Sequence, residues 1–296
     1  MSRSATKILL ATDGSEDAAL ALRAAVDLSA RAGSELHVVH VWRAFLPYSH
    51  PAVALATDSR EREEQAQGVL FEQLDKVEDA GGAAVGAHLR RGHPVEVISD
   101  LVEELGIGLV VIGSRGLGPI ERLALGSVSE GVIALASCPV LVARGGEGAW
   151  PISRAIVGHD SSAGAKKAGE LATSIAKLFA ASVLLVRALP VFVDVSEATR
   201  LAGDTTVSLR AASVRHELSL LAYARALEGT LGHRPRIGVS EGEAASVILE
   251  AAEGDAGPAL VAVGRRGLGT LDRLRLGSVS TKVLRAARGT VLVCPS

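Results

Sequence analysis

The chain is written twice. Lys7-Ile8-Leu9-Leu10-Ala11-Thr12-Asp13-Gly14-Ser15 near its start is echoed by Arg154-Ala155-Ile156-Val157-Gly158-His159-Asp160-Ser161-Ser162 near its middle. In each, a short apolar run ends in Asp and small polar residues, and an Ala-rich helical pattern follows. Further on, Leu109-Val110-Val111-Ile112-Gly113-Ser114-Arg115-Gly116 returns as Leu260-Val261-Ala262-Val263-Gly264-Arg265-Arg266-Gly267. Both continue alike, to Leu125-Gly126-Ser127-Val128-Ser129 and Leu276-Gly277-Ser278-Val279-Ser280. The early motifs lie 147 residues apart and the late ones 151, so a net insertion of four residues separates them. A period of about 150 residues is a whole domain, far above the 20–50 residues of a solenoid repeat. The 296-residue chain therefore reads as a tandem duplication, 1–146 and 152–296, with a linker around 144–151.

Each half alternates strand and helix. In the first, the pattern predicts strands at 7–12, 35–41, 84–90, 108–113 and 139–143. Helices are predicted at 16–32, 59–80, 94–105 and 127–136, with Ser15 as an N-cap, Gly33 as a stop and Pro94 as an opener. A loop is expected over 44–58. The second half predicts strands at 154–158, 182–187, 235–240, 259–264 and 290–294, and helices at 164–180, 208–230, 243–252 and 278–287. Aromatics are only 3% of the chain, so Ala, Val, Leu and Ile must build the core. That mix suits buried parallel strands covered by Ala-rich helices on both faces. The fold class is α/β, doubly wound, twice. Ligands of such sheets bind beyond the carboxyl ends of the strands, where the strand order reverses. Asp13, Gly113, Asp160 and Gly264 all sit at strand ends of that kind.

The repeated pattern is Gly-x2-Gly-x9-Gly-Ser: Gly113, Gly116, Gly126 and Ser127, then Gly264, Gly267, Gly277 and Ser278. Its physical logic is phosphate binding. Glycines let backbone approach a ligand closely, and a Gly-Ser that opens a helix presents N–H groups with no intrahelical partner to an anion. No GKS or GKT follows, so this is not a Walker A loop. Glu121 stands where a dinucleotide fingerprint would place its third glycine.

This spacing, the early Asp, the small-residue helix start Ser127-Val128-Ser129 and the last strand Cys138-Pro139-Val140-Leu141-Val142 resemble the ATP-binding subclass of the universal stress protein family. The resemblance spans the chain once per half. It implies a five-stranded parallel sheet of order 3-2-1-4-5 per domain, an adenine-nucleotide alpha-hydrolase-like fold. It implies adenine near Val41, with Ala188 as the second-half equivalent. It implies ribose and phosphates on Gly113, Gly116, Gly126, Ser127, Val128 and Ser129, and on Gly264, Gly267, Gly277, Ser278, Val279 and Ser280. Asp13 and Asp160 would lie near the nucleoside, with Mg²⁺ as the metal they would hold. The implied cofactor is ATP with Mg²⁺ and the implied role is nucleotide-dependent regulation of stress response or dormancy. The two domains would pair through their last strands, with further homodimerisation left open. The halves depart from one another: Gly158-His159 replaces Ala11-Thr12 before the Asp, and 189–207 differs from 44–58, so equal affinity at the two sites does not follow.

Blander readings stand beside these. Asp13 and Asp160 could simply cap their helices. Arg115 and Arg266, like Arg122 and Arg273, could face phosphates or be solvated loop charges. His37 and His40, three apart on a strand, point to opposite faces and make a poor metal pair. His159 has no counterpart in the first half, which favours a structural role. Cys138 and Cys294 fall at non-equivalent positions and read as small buried residues. With two cysteines and no CxxC, no zinc or redox motif is present, and a reducing cytoplasm is the expected setting. A net charge of −2 does not favour nucleic acid or an anionic membrane as partner. No run approaches the ~18 apolar residues of a membrane span. The rival functions are a nucleotide-hydrolysing or nucleotidyl-transferring enzyme on a related fold, and a degenerate module that binds nothing. The motifs share no repeated His, Lys or Cys, which counts against an enzyme; the intact glycines count against the degenerate module.

Overall fold

The computed structural model describes residues 7–43, 54–116, 125–146, 148–189, 205–254, 257–267 and 276–296. It divides into two compact units between Trp150 and Pro151. In the first, β1 (Lys7–Ala11), β2 (Glu35–Trp42), β3 (Ala84–Arg91), β4 (Leu109–Gly113) and β5 (Val140–Ala143) alternate with α1 (Glu16–Ala32), α2 (Ala54–Asp79), α3 (Pro94–Leu105) and α4 (Ser127–Leu135). The strands are parallel in the order β3-β2-β1-β4-β5. Helices α1 and α2 pack together, as do α3 and α4, and each pair covers the sheet. Leu9, Leu10, Val38, Val110, Val111 and Leu141 form the core between the layers.

The second unit repeats this with β6 (Arg154–Gly158), β7 (Ser182–Leu189), β8 (Arg236–Glu241), β9 (Ala259–Gly264) and β10 (Val291–Cys294) in the order β8-β7-β6-β9-β10, all parallel. Its helices are α5 (Ala163–Leu178), α6 (Thr205–Leu231), α7 (Ala244–Ala252) and α8 (Ser278–Ala286). In both units β1 and β6 are central, so the strand order reverses beside them and the cleft of a doubly wound sheet opens there.

Local chemistry fixes the ends. The Ser15 and Ser162 hydroxyls accept from Ala18 N–H (3.3 Å) and Ala165 N–H (3.2 Å), capping α1 and α5. Gly33 (φ 64°) and Gly106 (φ 64°) end α1 and α3 in the left-handed conformation. No such glycine ends α7, where Glu253 has φ −78°. The Arg154 guanidinium instead donates to the carbonyls of Ala251, Ala252, Glu253, Gly254 and Gly257 at 2.6–3.4 Å.

Two expectations need correction. Residues 54–58, read as loop, are the first turn and more of α2; Pro51 lies upstream and does not interrupt the helix. Helix α5 stops at Leu178, two residues early, because Ala180 (φ 51°) turns the chain left-handed without a glycine to announce it. The linker is anchored: Trp150 is buried and its indole N–H donates to Asp27 of α1 (2.8 Å). Arg122, Arg273, Glu121 and most of the variable segments at 44–58 and 189–207 lie outside the described residues. Among the described residues no helix is long and apolar enough to cross a membrane. Cys138 and Cys294 are buried free thiols, and burial lifts the Cys138 pKa to about 11.

Candidate functional site

After β1 the backbone continues its ladder for one residue, Thr12 N–H donating to Val39 C=O (3.0 Å), and then turns. Gly14 makes the turn at φ 81°, a conformation natural to glycine. The Asp13 carboxylate accepts from Ser15 N–H (3.1 Å), which makes a compact Asx turn ahead of the helix. The second unit builds the same turn: His159 N–H donates to Val186 C=O (2.9 Å) and Ser162 N–H to Asp160 (2.9 Å). Its left-handed residue is Ser161 (φ 72°), one of two non-glycine residues there with positive φ among the described residues. The caps are Ser15 and Ser162, so the aspartates do not serve as N-caps.

The glycine loop is held against this turn. Gly126 N–H donates to Ser114 C=O (2.8 Å) and Ser15 Oγ to Arg115 C=O (3.3 Å). The buried Ser129 hydroxyl donates to Gly113 C=O (2.8 Å), and Ser280 does the same to Gly264 (2.6 Å). These two hydroxyls, on residues that the resemblance assigns to ribose and phosphates, are thus committed to the backbone, and what Ser129 and Ser280 can offer is main chain. Helices α4 and α8 begin after Gly126 and Gly277 with no side-chain cap. Their first intrahelical donors are Glu130 N–H (to Gly126 C=O) and Thr281 N–H (to Gly277 C=O), both 2.9 Å. The N–H groups ahead of them are the ones a helix leaves for an anion.

The glycines differ in why they are glycine. A Cβ on Gly113 would lie 2.9–3.0 Å from the backbone of Asp17 and Ala18 in α1, and one on Gly264 2.8–2.9 Å from that of Ala165 and Gly164 in α5. A Cβ on Gly116 would collide with the Asp13 carboxylate, and one on Gly267 would lie 2.6 Å from that of Asp160. A Cβ on Gly126 or Gly277 meets nothing nearer than 3.3 Å.

Each turn and loop border a cleft at the carboxyl ends of the strands. The first, about 260 Å³, brings together Asp13, Val41, Gly113, Gly116, Gly126, Ser127, Val128 and Ser129. The second, about 490 Å³, brings together Asp160, Ala188, Gly264, Gly267, Gly277, Ser278, Val279 and Ser280. Every residue that the resemblance assigns to a nucleotide lines its cleft. The sequence reading missed the apolar wall opposite: Val39, Pro94 and Ile98 in one, Val186, Ala244 and Ile248 in the other. Its only signal was the apolar start of α3 and α7.

Arg115 lines the first cleft and is also held by the protein itself. It grips Asp17 of α1 through two hydrogen bonds (Nε to Oδ2 3.0 Å, Nη2 to Oδ1 2.9 Å), and Ser114 Oγ donates to the same carboxylate (2.6 Å). Burial works to raise the Asp17 pKa, but Arg115 and Ser114 outweigh it and hold the carboxyl below its ordinary value. The second half has Gly164 where Asp17 stands and Arg265 where Ser114 stands, so this pair is not repeated; Arg266 lines its cleft.

Beneath the turns the units also diverge. Thr12 Oγ1 donates to Gln73 of α2 (3.0 Å, buried). In the second unit His159 stacks on Tyr223 of α6 with ring centroids 4.2 Å apart, and Tyr223 Oη donates to Lys166 C=O (2.6 Å). A Cβ on Gly169 of α5 would strike the Tyr223 hydroxyl; the matching residue in α1 is the buried Leu22. His37 and His40 turn apart as expected: His37 Nδ1 meets His88 Nε2 (3.2 Å), and His40 Nδ1 meets Thr12 C=O (2.9 Å).

Burial first, then the Arg187 charge, lowers the His159 pKa to about 4. The unfolded chain takes up this proton near pH 6.5 and the folded one only near 4, so stability is full above 6.5 and falls between those values. The loss for complete titration is about 3 kcal/mol. Urea unfolding at pH 7 and pH 4 should show it, and His159→Thr should remove most of that pH dependence. An unchanged dependence in the variant would place the titration elsewhere.

The universal stress protein family profile matches residues 5–144 and again 151–295. Universal stress protein YxiE of Bacillus subtilis is 33% identical over 146 residues, which is 98% of that protein and 47% of this chain. A crystal structure of a universal stress protein from Archaeoglobus fulgidus matches 98% of this chain and 96% of its own at 26% identity, with a TM-score of 0.69. The functionally unknown Pseudomonas aeruginosa protein PA1789 matches 99% of this chain and 93% of its own at 18% identity and a TM-score of 0.65, a likeness of fold.

Proposed function

The chain belongs to the universal stress protein family in both halves, and from that premise we propose that each half binds one ATP and that nucleotide state governs association with a protein partner in stress or dormancy. The observation that carries this is the double occurrence of one constellation. Asp13 over Gly116 and the uncapped start of α4 recur as Asp160 over Gly267 and the uncapped start of α8. The open helix starts suit phosphates. The apolar walls between Val39 and Ile98, and between Val186 and Ile248, suit a flat base. Val41 and Ala188 would contact adenine.

Mg²⁺ fits as part of the ligand. Among the described residues no group of three His, Cys, Asp or Glu side chains stands ready for a metal. Mg²⁺ commonly needs one carboxylate plus substrate phosphates, and Asp13 and Asp160 supply one each. Bound there, the ion would neutralise phosphate charge. The chain's own residues would orient the nucleotide and exclude water around its base. Asp13 and Asp160 are the only carboxylates in the shared set, and a carboxylate spent on nucleoside or Mg²⁺ is poorly placed to activate water as well. The role is therefore binding rather than turnover. A cytoplasmic location accords with the free buried thiols.

Calorimetry with Mg-ATP should give two equivalents per chain. Gly126→Val and Gly277→Val should each remove one, because the added side chain enters the space over the helix start without touching the core. Phosphate release should stay well below the roughly 1–100 s⁻¹ of kinases. Two intact sites in the double variant would detach these loops from binding. Release at about 1 s⁻¹ or faster, abolished by Asp13→Asn with Asp160→Asn, would establish an enzyme instead.

A further inference from the structure

The second cleft is nearly twice the volume of the first, about 490 against about 260 Å³, and it reaches α6, whose His216 lines it. Three positions change the chemistry on that side. Thr12, His40 and Ala66 of the first half correspond to His159, Arg187 and His216 of the second. The first two pairs lie 147 residues apart; the third follows the helix register in which buried Leu70 and Val77 match buried Leu220 and Leu227. In the first unit His40 is buried on Thr12 C=O, Ala66 of α2 is buried, and neither lines the cleft. In the second, Arg187 lines the cleft and donates to two uncharged oxygens, Ser161 Oγ (3.0 Å) and Asp160 C=O (3.4 Å).

We infer that the α6 side of the second cleft is an anion subsite for a phosphoryl group, built from Arg187, His216 and the turn at Asp160–Ser162, which the first cleft lacks. The inference rests on the nucleotide reading of both clefts and names what distinguishes them. Arg187 and His216 line the same cleft, and after burial the Arg187 charge disfavours the protonated form of His216. A guanidinium beside a neutral imidazole is a donor set for an oxyanion. Lys166 and Arg215 add positive charge nearby, and the Asp160 carboxylate is the opposing one. The helix starts point the same way. Glu130 in the first turn of α4 opposes an anion, whereas α8 has the uncharged Thr281 at that position, followed by Lys282 paired with Glu243 (3.3 Å). The second site should therefore favour nucleotides with more phosphoryl groups, and the first should discriminate less among them.

Titration of the full chain with pyrophosphate at low salt tests this. One equivalent should bind. Arg187→Gln should weaken it about tenfold or more, His216→Ala about threefold, and Arg187→Lys should restore part of the loss. His40→Gln should leave it unchanged. Mg-ATP should still fill two sites in Arg187→Gln, with only one weakened. Pyrophosphate binding that is absent from the wild type, or equally strong in Arg187→Gln and His216→Ala, overturns the subsite while two ATP sites persist. Absence of ATP binding at both sites of the wild type would instead remove the nucleotide reading beneath it.

Discussion

Gly113→Ala should destabilise the first unit by about 3 kcal/mol, the upper end of what overpacking costs, and Gly264→Ala should do the same to the second. The added methyl would lie 2.9–3.0 Å from main-chain atoms of Asp17 and Ala18. Main chain cannot rotate aside as a side chain can. The first turn of α1 is fixed there by the Ser15 cap and by the grip of Arg115 on Asp17, so relief requires moving the helix off β4. Val111, Leu10 and Ala21 then lose contact in a core where they are fully buried. Denaturant unfolding followed by circular dichroism should show the lowered midpoint. A variant as stable as the wild type would mean that α1 slides on the sheet at no cost.

Gly116→Ala should do the opposite: fold normally and bind Mg-ATP about a hundredfold more weakly at its own site, the loss of roughly two charge-assisted hydrogen bonds. Its methyl meets only the end of the Asp13 side chain, and a carboxylate can swing away within its rotamers. Stability should change by no more than about 0.5 kcal/mol, as at a surface site. In the proposed site the displaced Asp13 would no longer meet nucleotide or Mg²⁺. Because the damage runs through one contact, Gly116→Ala should cost almost nothing further in an Asp13→Ala background, a double-mutant cycle that isolates the pair. Additive losses would show that Gly116 acts by some other route. Gly267→Ala with Asp160→Ala is the parallel experiment in the second unit.

The sequence carried the architecture because duplication supplied two readings of each element. Strand ends and caps were legible where one residue type dictates the backbone: Ser15 as N-cap, Gly33 as stop and Pro94 as opener all stand where expected. The end of α5 was not legible, since a left-handed Ala180 has no sequence signature. The cleft residues were legible because they cluster at strand ends in short motifs. What escaped was everything set by distant packing. Nothing in Asp17 or Arg115 alone reveals that 98 residues of separation close into one ion pair. Ser129 and Ser280 entered the site through the resemblance, and only the fold shows their hydroxyls turned onto a strand-end carbonyl. The wall at Pro94 and Ile98 belongs to a helix whose face becomes known once the sheet is ordered.

The stack of His159 on Tyr223 bears on how this gene can change. Two similar halves in one reading frame invite recombination, which would homogenise them. Here the exchange of short segments would be punished. Leu22, Thr12 and Gln73 form one matched set; Gly169, His159 and Tyr223 form the other. A crossover placing a leucine at position 169 would drive its side chain into the tyrosine ring. One placing glutamine at 223 would remove both the stack and the bond to Lys166. Only a transfer of all three positions, spread from the first turn to the second long helix, keeps a unit packed, so the halves are free to drift apart and locked against merging.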